Sequence, residues 1–252
     1  MKLGICATPE HSSAVKKAGF DYIEPALAPV GMMSGAEFEK YAVSFALPSP
    51  AFNGFFDRNA HKLVGETVDF ALLETFIRTA LKRVAELGCK TAVLGSGYSR
   101  QVPDGFDRAK AVAQFEKVVL LAGKIAGEFG ITIGIEPLNY KETNLLNTYA
   151  ETAGFVREIG LDTVRAIADF YHIAQNGEGW DGLLNNADLL CHVHICNPTT
   201  RMLPKPGDGF DYGEFKRIFK QIGYDGRVSV EGIVQNWETD IPACAEALAC
   251  LR

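Results

Sequence analysis

Four side chains that could carry protons or bind a cation stand at the ends of short β-branched runs in the second half of the chain. Glu136 closes Thr132-Ile133-Gly134-Ile135-Glu136, Asp169 closes Arg165-Ala166-Ile167-Ala168-Asp169, His194 follows His192-Val193, and Glu231 closes Arg227-Val228-Ser229-Val230-Glu231. A strand sends alternate side chains to opposite faces, so in each run the ionisable residue shares one parity and ends the same face. The separations of 33, 25 and 37 residues each leave room for one helix between successive strands. Such ends converge if the strands form one parallel sheet. Three gathered carboxylates repel and raise one another's proton affinity unless a cation holds them. Three oxygen donors with one imidazole suit Mn²⁺, Mg²⁺ or Co²⁺ better than a thiolate-rich zinc site, with zinc still compatible. A single acid at a strand end is more often a solvated cap. The shared register of all four makes Glu136, Asp169, His194 and Glu231 a candidate divalent-metal site.

The elements that must position them are legible as an alternation. Candidate strands are Leu3 to Ala7, Asp21 to Pro25, Val43 to Leu47, Thr91 to Leu94, Thr132 to Glu136, Val164 to Asp169, His192 to Cys196 and Val228 to Glu231. Between them run amphipathic helices: Leu73, Phe76, Ala80, Val84 and Leu87 form one stripe ended by Gly88, and Val112, Phe115, Val119, Ala122, Ala126 and Phe129 another ended by Gly130. Gly160 and Gly223 punctuate two later helices, and Pro242 to Leu251 reads as a closing helix. Eight strand-helix units in about 250 residues have the dimension of a (β/α)8 TIM barrel. No linker interrupts residues 1–252, so the α/β barrel is expected as a single domain. The longer irregular stretches nearly all follow strands, where barrel enzymes carry their active-site loops.

Composition narrows the class. With 47% apolar and 22% charged residues the chain is an ordinary globular sequence, and its longest apolar runs fall far short of the ~20 residues a membrane span needs. No apolar leader opens the sequence, so a cytoplasmic location with no membrane partner is expected. The net charge of −6 and the lack of a basic run argue against nucleic acid as a partner. The six cysteines include no CxxC pair and read as reduced, small apolar residues.

Other residues carry weaker signals. Gly95-Ser96-Gly97 with Arg100 has the composition of a phosphate cradle, though such turns also arise for backbone geometry alone. His192 lies one layer deeper than His194 and reads as a hydrogen-bonded core histidine. Glu24 ends the inward face of the second strand, where it would line the pocket or form an ion pair. His11 and His61 read as surface or loop residues, and Trp180 and Trp237 as packing. Asn53, in the segment Pro48 to Phe56, is placed to cover a substrate.

Several of these segments together carry a resemblance. Ile135-Glu136-Pro137-Leu138-Asn139, Ala168-Asp169-Phe170-Tyr171-His172, His192-Val193-His194, the segment Arg201 to Gly209, and Val230-Glu231-Gly232 resemble the sugar phosphate isomerase/epimerase family. This xylose isomerase-like barrel group includes D-tagatose and D-psicose 3-epimerases, hydroxypyruvate isomerase and inosose dehydratase. The likeness extends along most of the chain, including Ala51-Phe52-Asn53 and Leu94-Gly95-Ser96-Gly97 with Arg100 and Pro103. It implies that Glu136, Asp169, His194 and Glu231 match the metal ligands of the ketose 3-epimerases, in which the two glutamates also move protons. It further implies substrate contacts for Glu142, His172 and Arg201. Tyr140 stands where many relatives have arginine, and His194 where hydroxypyruvate isomerases commonly have glutamine.

The chemistry then expected is proton transfer at a carbon next to a carbonyl, through a metal-stabilised enediolate, on a small sugar such as a ketose. Return of the proton to the opposite face of the same carbon gives an epimerase, and to the neighbouring carbon an aldose-ketose isomerase. A hydroxypyruvate-type isomerase, an inosose-type dehydratase and a non-enzymatic sugar-binding protein are the alternatives. Assembly into a homo-oligomer is left open.

Overall fold

A computed structural model describes residues 1–252. The eight parallel strands are β1 (Lys2–Ile5), β2 (Tyr22–Ile23), β3 (Ala51–Phe52), β4 (Thr91–Leu94), β5 (Thr132–Ile135), β6 (Val164–Asp169), β7 (Leu190–Ile195) and β8 (Arg227–Val230). They form one sheet in the order β2-β1-β8-β7-β6-β5-β4-β3, with helices in the crossovers. The remaining seam, between β2 and β3, is stitched by backbone hydrogen bonds. Ile23 N–H donates to Pro48 O at 3.1 Å, Asn53 N–H to Pro25 O at 3.0 Å and Leu27 N–H to Asn53 O at 2.7 Å. The fold is the expected (β/α)8 TIM barrel.

The helices form where their stripes and caps direct. Phe70–Glu86 buries Leu73, Phe76, Ala80 and Val84, and the Asp69 carboxylate accepts from Ala71 N–H and Leu72 N–H to satisfy its free first turn. Gly88 follows at a φ of 89°, a conformation that suits glycine. Two expectations are corrected. The third strand is Ala51–Phe52, not Val43 to Leu47. Val43 directly follows the helix Gly35–Ala42 and is 84% exposed, so its β shape has nothing to pack against. Pro48 and Pro50 lack donors, yet their carbonyls accept from Ile23 on one side and from Lys90 and Thr91 on the other, so the pairing starts later than the apolar alternation suggests. The closing helix begins earlier, at Trp237, and runs to Ala247 with Pro242 inside it.

Inside the barrel, inward side chains stack in layers. At the N-terminal end Arg227 reaches across to donate to Thr91 Oγ1 at 2.7 Å. Above it the Tyr22 ring fills the space a side chain at Gly4 would need, and the Tyr22 hydroxyl meets Ser229 Oγ at 2.8 Å. The uppermost layer carries the ionisable residues.

Candidate active site

The strand register brings the quartet together. Asp169 pairs with His194 across β6 and β7, and His194 with Ser229 across β7 and β8, which sets Glu231 just above. Glu136 follows β5, its N–H bonded to Leu94 O at 3.2 Å. One ligand atom from each of Glu136, Asp169, His194 and Glu231 lies within 4.8 Å of the others, with the first three residues buried and Glu231 partly exposed. His194 Nδ1 faces Glu136 Oε1 at 3.2 Å and Glu231 Oε2 at 3.6 Å. Asp169 divides its work: Oδ1 caps the helix Phe170–Asn176 by accepting from Tyr171 N–H at 2.7 Å, and Oδ2 is left toward the site.

The electrostatics fit a cation. Burial, then the charges of Glu136 and Glu231, push the Asp169 carboxyl well up; burial and the Glu231 charge likewise raise Glu136. For Glu231 the burial effect is overcome by His194 and Arg201, which bring its carboxyl down to about 2. His194 resists burial and is pushed well up by Glu24, Glu231 and Glu136. In the metal-free protein a proton on this imidazole supplies the positive charge the carboxylates demand. A divalent cation fits the same donor set and would displace that proton. Metal affinity is therefore expected to fall as the pH drops through the raised range of His194, with proton release on binding. Calorimetric titrations in buffers of different ionisation enthalpy would count those protons, and a pH-independent affinity would contradict this picture.

The flanking residues also converge. Arg201 Nη1 donates to Glu142 Oε1 at 2.5 Å, while Nη2 lies 3.8 Å from Glu231 Oε2 and the guanidinium sits 4.8 Å over the Tyr171 ring. Arg201 adopts a φ of 59°, an uncommon conformation for a non-glycine residue, as its loop turns over the site. Asn139 links Glu142 and His172: its Nδ2 donates to Glu142 Oε1 at 3.0 Å, and its N–H donates to His172 Nδ1 at 3.2 Å. Burial holds His172 down to about 3, so the ring is neutral. With Nδ1 accepting, its proton sits on Nε2, which has no hydrogen-bond partner and lies 3.7 Å from Asp169 Oδ2. It is a free donor at the rim of the quartet.

The Gly-rich turn serves geometry rather than phosphate. Arg100 is completely buried, donates through Nη2 to the Glu136 carbonyl at 2.7 Å and lies over Phe115, out of reach of a ligand. A Cβ on Gly95 would stand 2.1 Å from Glu136 Oε2. Gly95→Ala is therefore expected to displace that carboxylate and cost up to about 100-fold in kcat with little change in the thermal transition, because small misplacements at reacting groups are costly. Steady-state kinetics beside a melting curve would check it, and unchanged kcat would refute it.

Glu24, His11 and Trp237 line one cavity beside Asn53. Glu24 is buried against His192 and His194. Asn53 donates to Glu231 Oε1 at 3.2 Å. His11 and Trp237 stack at 3.7 Å beside a cavity of about 360 Å³ that reaches Cys6, Asn53 and Glu24. No periodic signal joins residues 226 positions apart. His61, by contrast, is buried against Phe76.

A barrel of eight parallel strands with three carboxylates and an imidazole gathered at its C-terminal mouth defines a class, and the sequence agrees with it. The chain belongs to the xylose isomerase-like TIM barrel family, whose pattern matches residues 13–252. Among its relatives, D-psicose 3-epimerase of Agrobacterium fabrum is 29% identical over 237 residues, covering 89% of this chain and 79% of that one. The 3-dehydro-D-guloside 4-epimerase of Escherichia coli is 32% identical over 133 residues, 51% of this chain and 48% of the relative, so that match spans about half of either. The crystal structure of 3-keto-D-glucoside 4-epimerase from E. coli superposes with a TM-score of 0.81 at 23% identity, covering 100% of this chain and 98% of that one. No helix is long and apolar enough to cross a membrane.

Proposed function

We propose that this chain is a divalent-metal-dependent sugar epimerase or isomerase that moves a proton at a carbon next to a carbonyl, in the manner of the ketose 3-epimerases. The observation that carries the reading is the convergence of Glu136, Asp169, His194 and Glu231 within 4.8 Å, on the C-terminal side of the barrel. When bound there, a divalent cation would supply stabilisation for the negative charge of the enediolate. Glu136 and Glu231 follow β5 and β8, three positions apart in the strand order with Asp169 and His194 between them. They can therefore approach a bound sugar from different sides, one removing a proton and the other returning one. The neutral His172 donates from Nε2 to a substrate oxygen. Arg201, steered by Glu142 and Tyr171, supplies a second, charged donor.

The relatives' names favour epimerisation of a keto-sugar over dehydration. The test is a screen of ketoses, 3-keto-glycosides, hydroxypyruvate and inososes with Mn²⁺-loaded protein in D₂O. Epimerisation puts deuterium at the carbon beside the carbonyl of a product of otherwise unchanged composition. Loss of water would instead identify a lyase, and bound sugar without any exchange a binding protein.

A further inference from the structure

Glu24 takes no part in the proton transfers above, yet it sits directly behind them. Its wholly buried carboxylate accepts from His192 Nε2 at Oε2, 2.7 Å, from His194 Nε2 at Oε1, 2.8 Å, and from Ser229 Oγ at Oε2, 2.5 Å. Ser229 Oγ also meets the Tyr22 hydroxyl at 2.8 Å, so the network is anchored in the barrel's middle layer. An ionised carboxylate has only lone pairs to offer, so both imidazoles must bring an N–H at Nε2. For a neutral His194 this uses the ring's single proton and leaves Nδ1 with a lone pair. That lone pair is aimed at the gap it shares with Glu136 Oε1 and Glu231 Oε2. His192 agrees with the same proton placement, since its Nδ1 has no partner and a bare lone pair costs less there than an orphaned N–H.

We infer that Glu24 is a positioning residue of the metal centre, holding the Nε2–H tautomer and the ring orientation of His194 from behind so that Nδ1 is presented to the cation. The inference builds on the metal-dependent reading proposed above. It adds the end of β2 to the strands that build the site, with Glu24 on the Nε2 side of the His194 ring and Glu136 and Glu231 on the Nδ1 side. Carboxylates placed behind ligating histidines commonly contribute 10- to 100-fold to metal affinity, by fixing the tautomer and raising ligand basicity.

Glu24→Gln separates this role from simple packing. The amide keeps the volume but can accept from only one imidazole, because its NH₂ group then faces the other. Titration of chelator-stripped protein with Mn²⁺ is expected to show affinity about 10- to 100-fold weaker than wild type, with an unchanged far-UV circular dichroism spectrum. A second measurement stands even if that variant does not fold. In wild-type protein loaded with diamagnetic Mg²⁺ or Zn²⁺, ¹⁵N-edited spectra of His194 are expected to show Nε2 protonated and Nδ1 shifted by the metal. Wild-type affinity retained within twofold in folded E24Q, or a spectrum with Nδ1 protonated, would overturn the role of Glu24 alone. Failure of the wild-type protein to bind any divalent cation would overturn the metal reading with it.

Discussion

Glu231→Gln is expected to lower kcat by about 10³-fold or more while the protein stays folded. General acid-base groups typically contribute 10²- to 10⁴-fold, and this residue is also a proposed ligand. The substitution keeps the side chain's volume and an oxygen able to accept from Asn53 Nδ2. It removes the charge that faces His194 and Arg201, and with it a carboxylate held ionised at about 2. Glu136→Gln is expected to cost a similar factor, and the two variants should fail differently. If each glutamate serves one face of the sugar, each variant loses solvent exchange from one epimer and retains slow exchange from the other. Deuterium wash-in followed by NMR from both epimers reads this directly. More than a tenth of wild-type kcat in E231Q would end the paired-glutamate account.

Removal of divalent metal is the second large effect. Chelation is expected to reduce turnover to below about one thousandth, with recovery on adding Mn²⁺, Mg²⁺ or Co²⁺, because no divalent charge is then left to stabilise the enediolate and the three carboxylates face one another with only His194 and Arg201 as cations. The protein should also soften. A ligand present at 100 times its Kd contributes about 2.7 kcal/mol to stability, and about 1 kcal/mol moves the melting temperature of a domain this size by about 2–4 °C. A fall of roughly 5–10 °C on chelation follows from those figures. The shift should shrink in acid. Glu136 and Asp169 have raised carboxyls in the metal-free fold, so their charges destabilise that fold increasingly as pH rises through their folded values. Calorimetry of the stripped and loaded protein at several pH values checks both points. Full activity in the presence of excess chelator would contradict the mechanism outright.

Much of the barrel was legible because its strands are buried runs bounded by glycine-ended helices, a pattern that short-range packing imposes on composition. The third strand escaped because its two residues directly follow Pro48 and Pro50, while the longer apolar alternation of Val43 to Leu47 stands just before them. Val43 to Leu47 imitates a strand locally, but exposure of Val43 shows that β-branched shape without a partner surface decides nothing. Arg100 misled in a similar way. A guanidinium beside a Gly-rich turn looks like anion chemistry until burial beneath Glu136 and Leu146 places it among backbone carbonyls.

The alternation of strand and helix, and the parity that puts Glu136, Asp169, His194 and Glu231 on one inward face, are written in the order of residues along the chain. Both are local properties, set by backbone geometry over a few residues. Long-range packing sets which side of the His194 ring meets which carboxylate, places Glu24 behind it from 170 positions away, and lets Asn139 fix the proton of His172. Those outcomes depend on barrel closure and on interatomic distances near 3 Å. A period of two residues along each strand specifies a face, but not the partner that will stand across it.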